Sequence, residues 1–420
     1  MKGVGKLKEI FTEYISEARM VEYQPVQTYC SMIEKEQALQ DMEQLIYIID
    51  NRYCGKEYWE RKGIEFLDCY QKIRDFVLNE EEIYISDFCR AIHRAFDRGI
   101  VDNHFSFASP LTGRLGYQKQ YVAYFADLLV EQRQNKFYVI RSDCASIAIG
   151  DEIQDKHILF PTLAPAGKQR FLVGKRSYEN MNSMPIVVNG KIREVGLHRC
   201  RAGKRIEDRD VCLHEKQRKG ISIIRANCCD FVGDLREDTD IVAIGKKYAN
   251  TEKLILNYLS NEGGYNRITR EFIQGLNGYS HLEEYSAKLI SPITEGKDCK
   301  RQWIMSDCQP YEYEKATYEG TLYMLVNSDT ASSGESAVLY ARSVKKLVLI
   351  GENTMGCNTF GNIASYVLVN SGIVCRVPNV VNLCKNPEDC QEGKGFEPDF
   401  WVDLTDVEGE VIEWLNGSMT

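Results

Sequence analysis

The 420-residue chain is 27% charged, 44% hydrophobic and 10% aromatic, an ordinary globular composition with room for two or three cored domains. Its 52 Lys and Arg against 61 Asp and Glu leave a net charge of −9, which argues against nucleic acid or an anionic membrane surface as the main partner. No apolar run approaches the ~20 residues of a membrane-spanning helix, and the opening Met1-Lys2-Gly3-Val4-Gly5-Lys6-Leu7-Lys8-Glu9 is polar where a signal peptide would be apolar. Fifteen cysteines are too few for a disulfide scaffold, and without paired CxxC units they do not spell a structural zinc site. The expectation is a cytoplasmic protein with reduced, mostly buried thiols and neither metal nor cofactor.

In chain order, residues 1–118 read as a helical domain. Lys6–Arg19, Glu34–Ile49, Glu57–Leu78 and Ile85–Phe96 carry apolar residues at helical spacing, with Phe88, Ile92 and Phe96 on one face. Residues 119–215 switch to short strands: Tyr121–Phe125, Phe137–Ile140, a turn at Ile149–Ile153, Met184–Val188 and Glu194–Arg199. The stretch Phe160–Asn182 reads as a long loop. From 216 to 420 strands alternate with helices, as in a covered, largely parallel sheet. Strands are expected at Ile221–Ile224, Leu254–Leu259, Thr321–Val326 and Leu347–Ile350. One helix should bury Ile268, Phe272 and Leu276, and another Ala337, Val338, Ala341 and Val344.

Two strand-to-helix turns carry chemistry. Asn327-Ser328-Asp329-Thr330-Ala331-Ser332-Ser333-Gly334-Glu335 puts Ser332 and Ser333 on a rigid turn at the positive end of a helix dipole. The N–H just beyond a nucleophile there could help hold an oxyanion, and the Gly263-Gly264 turn could supply a second donor. Spacing alone also allows, and slightly favours, Thr330, Ser332 and Ser333 capping the helix, with Glu335 completing a capping box.

Thr330-Ala331-Ser332-Ser333-Gly334-Glu335 followed by Ile350-Gly351-Glu352-Asn353-Thr354-Met355-Gly356 resembles the T-A-S-x-x-E … G-E-x-T-x-G signature of the tail-specific, or C-terminal processing, peptidases. Leu254–Gly264 resembles their L-I-x-D-L-R-x-N-x-G-G segment, and Gly395-Phe396-Glu397-Pro398-Asp399 their G-V-x-P-D terminus. The resemblance implies an α+β multidomain fold: a helical N-terminal domain (1–118), a PDZ-like β-rich domain (119–215) and a crotonase/ClpP-like α/β protease core (216–420). Ile149-Gly150-Asp151-Glu152-Ile153 looks like the G-D-x-I turn of such a PDZ-like domain.

By the same resemblance Ser332 is the nucleophile. The lysine base of the best-known branch is replaced by Cys357, and Asn257-Tyr258-Leu259 departs from Asp-Leu-Arg. The resemblance is therefore closer to the Ser/His/Glu type of the tricorn core and the chlamydial secreted protease. Glu392 lies three residues before Gly395, as their glutamate does, and Asp102-Asn103-His104 resembles the D-x-H segment that supplies the histidine, placed here between the last helix and the first strand. The resemblance thus implies a serine peptidase with Ser332 as nucleophile, His104 as general base and Glu392 as orienting acid. Ser333 with Gly263 or Gly264 would form the oxyanion hole. Its partner would be a peptide or unfolded protein; a homo-oligomer is compatible with the sequence. The rival reading is a peptide-binding pseudoprotease on the same scaffold; a third makes Cys357 the nucleophile.

Overall fold

The computed structural model describes residues 31–203, 212–232, 235–281, 284–296, 298–306, 315–384 and 392–418. The helix expected at Lys6–Arg19 lies outside them. The chain forms two compact units. One comprises residues 1–119, 284–308 and 359–393; the other comprises 120–283, 309–358 and 394–420.

In the first unit, helices run over Lys35–Arg52, Gly55–Glu60, Phe66–Asn79 and Ile85–Phe96. The expected single helix over 57–78 is thus two. The chain breaks at Gly63, whose φ of +89° is a left-handed conformation that a helix interior does not contain. The helix Ile85–Phe96 matches its periodicity, and Phe88, Ile92 and Phe96 are fully buried. A β-sheet, antiparallel throughout, completes the unit in the order Gln302–Met305, Glu284–Ile290, Val374–Cys384, Asp102–Ser109, Gly113–Tyr117. Phe360–Val367 also pairs with Val374–Cys384. Beyond the short antiparallel pair Met32–Ile33 and Ile83–Tyr84, strands therefore start at Asp102 rather than near 118, and His104 lies inside a strand, not in the expected connection. Phe105 and Phe107 alternate with polar Ser106 along it. Phe105 stacks on Tyr53 at 4.2 Å and on Tyr117 at 5.1 Å, anchoring the strand in an aromatic core.

In the second unit one long sheet holds the parallel strands Ile221–Ala226, Lys253–Asn257, Thr321–Val326, Leu347–Gly351 and Phe400–Trp401, neighbours in space as in sequence. These are continuous apolar runs because both faces are covered. Val407–Leu415 packs its Val407, Val411 and Ile412 with Ile223, Ile255, Leu325 and Ile350 in one core. Asn266–Asn277 buries Ile268, Phe272 and Leu276 as its spacing implies, while Ser333–Ala341 is buried on every side. The sheet continues through Leu159–Thr162 and Arg170–Ser177 to Val122–Arg133. The expected loop Phe160–Asn182 is mostly a β-hairpin whose two strands are bonded into this sheet. Its Val173 is fully buried and Leu172 is 6% exposed, a degree of burial that a surface loop has no reason to maintain.

Candidate active site

Three of the motif segments lie at the carboxyl ends of parallel strands, where α/β sheets open their clefts. After Val326 the chain turns through Asn327–Ser332 before the helix Ser333–Ala341. Asn327 fastens this turn: its Oδ1 accepts the N–H of Ser260 at 2.8 Å and its Nδ2 donates to Ala202 O at 3.1 Å. Thr330 donates its hydroxyl to Tyr258 O (2.9 Å), and Ala331 N–H donates to Asn261 O (2.9 Å).

The residue left at the apex is Ser332, with φ +53° and ψ −120°. A non-glycine residue there is strained, and surroundings that over-determine it are a mark of functional turns. The capping alternative fails on geometry. Ser332 makes no side-chain cap bond, and Ser333 donates its hydroxyl to Gly264 O at 2.6 Å. Glu335 turns inward instead of back to the cap. Fully buried, it accepts the N–H groups of Gly356 (2.9 Å) and Cys357 (2.6 Å) and the hydroxyl of Thr354. Burial pushes its carboxyl upward against those bonds.

The glycine turn approaches from the adjacent strand. Gly263 has φ +103°, and a Cβ on it would meet Ala331 O, Ser332 Cβ and Ser333 N, each at 2.9 Å. Its N–H donates to Asn261 Oδ1 at 2.9 Å. Among the described residues, the N–H groups of Ser333 and Gly264 donate to no protein acceptor. Cys357, 3% exposed, comes to the same turn: its Sγ accepts the Ser332 N–H at 3.0 Å.

The second cluster belongs to the first unit. Asp102 Oδ1 accepts the N–H groups of His104 (2.8 Å) and Phe105 (3.0 Å), and its Oδ2 accepts the Tyr53 hydroxyl at 2.9 Å. Glu392 Oε1 accepts Asn103 N–H (3.0 Å) and Oε2 accepts Thr359 N–H (3.1 Å). The register shifts between Asp102 and Ser106, an irregularity of the kind that re-aims side chains beside sites. One ligating atom each of Asp102, His104 and Glu392 lie within 4.8 Å of one another.

His104 is 7% exposed, and its buried Nδ1 has no hydrogen-bond partner among the described residues. Burial, then the Arg376 and Arg114 guanidiniums, lower its pKa to about 4. Burial raises Asp102 to about 7 despite the bonds from His104, Tyr53 and Phe105. By residue type the three could ligate a metal ion. Yet each of the four carboxylate oxygens already accepts an N–H or O–H, and Arg114 and Arg376 add positive charge. The set suits an oriented neutral imidazole better than a cation. Two other histidines are engaged elsewhere: His93 stacks on Tyr117 at 4.7 Å, and His198 bonds Asp403 at 2.7 Å.

Sequence reasoning did not assign Tyr53, Asn261, Asn327 or Thr354, all of which act through bonds to distant segments. Asp102 carried a signal, its place two residues before the histidine.

Residues 234–402 match the sequence profile of peptidase family S41. The chain carries an S41 peptidase domain. The segments Leu254–Gly264, Thr330–Glu335, Ile350–Gly356 and Gly395–Asp399 all fall in the matched stretch, and the activity of the S41 domain is that of a serine-type peptidase. No curated protein matches the sequence. Similar solved structures include mature CPAF complexed with lactacystin, at 13% identity and TM-score 0.48, covering 91% of this chain and 99% of that one. The photosystem II D1 C-terminal processing protease shows 16% identity and TM-score 0.39 over 90% of this chain and 96% of its own. The tricorn protease shows 15% identity and TM-score 0.39, covering 92% of this chain and 36% of its own.

Proposed function

We propose that the protein hydrolyses peptide bonds of peptides or unfolded proteins through an acyl-enzyme on Ser332, with His104 as general base and Glu392 as the orienting acid. The observation that carries this reading is the strained backbone of Ser332 at a strand-to-helix turn, with a hydroxyl that caps nothing. In the proposed cycle His104 takes the hydroxyl proton as Ser332 attacks the carbonyl carbon. It then returns the proton to the leaving amine, a role worth roughly 10²–10⁴ in rate. A His104 that is neutral at pH 7 fits a base. Its unpartnered Nδ1 would receive its acceptor from the nearby Glu392 or Asp102 carboxylate as charge develops on the ring.

The oxyanion would be held by the N–H groups of Ser333 and Gly264. Gly263, whose N–H is engaged by Asn261, serves by its bare Cα, which lets the two turns meet. A Cys357 nucleophile is disfavoured, because its side chain is 3% exposed and its sulfur already accepts an N–H. The deciding experiment labels the purified protein with a fluorophosphonate probe and follows cleavage of fluorescent casein. Ser332→Ala and His104→Gln should each abolish both signals. Tight casein binding with no labelling of Ser332 would instead establish the pseudoprotease.

A further inference from the structure

Ser332 is tied on both sides of its strained conformation. Its carbonyl accepts the N–H groups of Glu335 (2.8 Å) and Ser336 (3.0 Å), the first turn of its own helix. Its N–H goes outward, to Cys357 Sγ at 3.0 Å. Cys357 is in turn fixed by its backbone N–H on Glu335 Oε2 at 2.6 Å, and Gly356 N–H lies on Oε1 at 2.9 Å. The bonds close a ring from Ser332 through Glu335 and Cys357 back to Ser332. Every member is wholly or largely shielded from water, so solvent is poorly placed to substitute for a missing acceptor.

We propose that Cys357 is a positioning residue for catalysis: its sulfur, fixed by Glu335, accepts the Ser332 N–H and holds the nucleophile in its left-handed conformation. The proposal rests on Ser332 being the nucleophile. It also gives a physical reason why the residue that replaces a lysine here is a cysteine. A charged lysine offers three N–H donors and no acceptor, whereas a thiol sulfur has lone pairs to receive an N–H. Without that acceptor the serine relaxes toward an unstrained φ and its hydroxyl leaves the attack geometry. A misplacement of this kind, about 1 Å, costs on the order of 10²-fold in rate.

The test compares the full-length protein with Cys357→Ala, Cys357→Ser and Glu335→Gln. Three readouts are used: kcat and KM on a fluorogenic peptide, the fluorophosphonate labelling rate, and hydrogen exchange at the Ser332 amide. Cys357→Ala should lower kcat and labelling about 10²-fold with KM little changed. It should also speed exchange at the Ser332 amide by roughly tenfold or more. Cys357→Ser, which keeps an acceptor, should recover most of both. Glu335→Gln, which cannot accept both N–H groups, should resemble the alanine variant. If Cys357→Ala does not fold, Cys357→Val fills the space without an acceptor and carries the same expectation. The proposal is overturned if the acceptor-less variants keep wild-type kcat and amide protection, or if serine rescues neither. Activity surviving in Ser332→Ala would instead sink the nucleophile assignment, and the exchange data would still decide the hydrogen-bonded ring.

Discussion

Gly263 lies so close to the Ser332 turn that a Cβ on it would stand 2.9 Å from the Cβ of Ser332. The same residue has φ +103°, which a side chain rarely tolerates. Gly263→Ala therefore meets two costs, backbone strain of about 1–3 kcal/mol and displacement of the Ser332 turn. We expect a lower melting temperature and a fluorophosphonate labelling rate reduced by about 10²-fold. Labelling at the wild-type rate would show that the two turns do not cooperate.

Asn257 stands where the family pattern has aspartate, and the structure supplies a reason. Its Nδ2 donates to Glu408 Oε2 at 2.8 Å, while its Oδ1 accepts Leu259 N–H at 3.1 Å, with Asn257 fully buried. Asn257→Asp replaces a donor with a second carboxylate facing Glu408, and should cost about 1–3 kcal/mol at neutral pH. The introduced carboxyl would have a raised pKa in the folded state. Its deficit should therefore be full at pH 7 and shrink as pH falls through that pKa. Denaturant melts at pH 7 and pH 5 measure this, and a deficit that grows toward pH 5 would refute it.

His104 shapes the acid stability of the fold. Its pKa is about 4 in the folded state against an ordinary 6.5, so between these values the unfolded chain binds more protons and stability rises with pH. The destabilisation it brings at pH 5 is about 2 kcal/mol. Asp102, raised to about 7, acts in the opposite sense: the folded state binds more protons between about 4 and 7, and stability falls as pH rises. Removing the imidazole with His104→Gln should improve stability relative to wild type more at pH 5 than at pH 7. Identical differences at the two pH values would mean that His104 is not desolvated.

Both oxygens of Glu392 accept backbone N–H groups, those of Asn103 and Thr359. Glu392→Gln keeps the shape but offers one oxygen for two donors, leaving an N–H facing an amide NH₂. We expect kcat to fall by roughly 10²–10⁴, as for loss of an oriented base, with KM far less affected. A KM rise with kcat intact would assign Glu392 to substrate binding instead.

Much of the fold is legible in local patterns. Lys253–Asn257, Thr321–Val326 and Leu347–Gly351 announce themselves as apolar runs, because parallel strands covered on both faces leave no polar side. The helix Asn266–Asn277 is equally plain, with one buried face at helical spacing. Less visible is the hairpin Leu159–Thr162 and Arg170–Ser177. Its short strands carry Pro161, Lys175 and Arg176, and its pairing with Val122–Arg133 spans dozens of residues. The split of the expected helix 57–78 turns on one glycine, masked by apolar neighbours that keep helical spacing on either side of it.

The residues assigned to the proposed chemistry come from the family resemblance carried by the sequence: Ser332 by the T-A-S-x-x-E signature, His104 by the D-x-H segment, and Glu392 by its distance from the terminal motif at Gly395. Motif spacing along a turn is a local property of the backbone, so a linear reading reaches it. The surroundings of these residues come instead from long-range pairing and burial. Asp102–Ser109 joins Val374–Cys384 in one sheet, and Glu392 meets Asn103. The Cys357 sulfur likewise lands on the Ser332 amide, 25 positions away in the chain. Contacts of this kind link segments far apart in sequence and leave no periodicity in either one. The cysteine that composition sets among ordinary buried thiols thereby becomes a hydrogen-bond acceptor for the Ser332 turn.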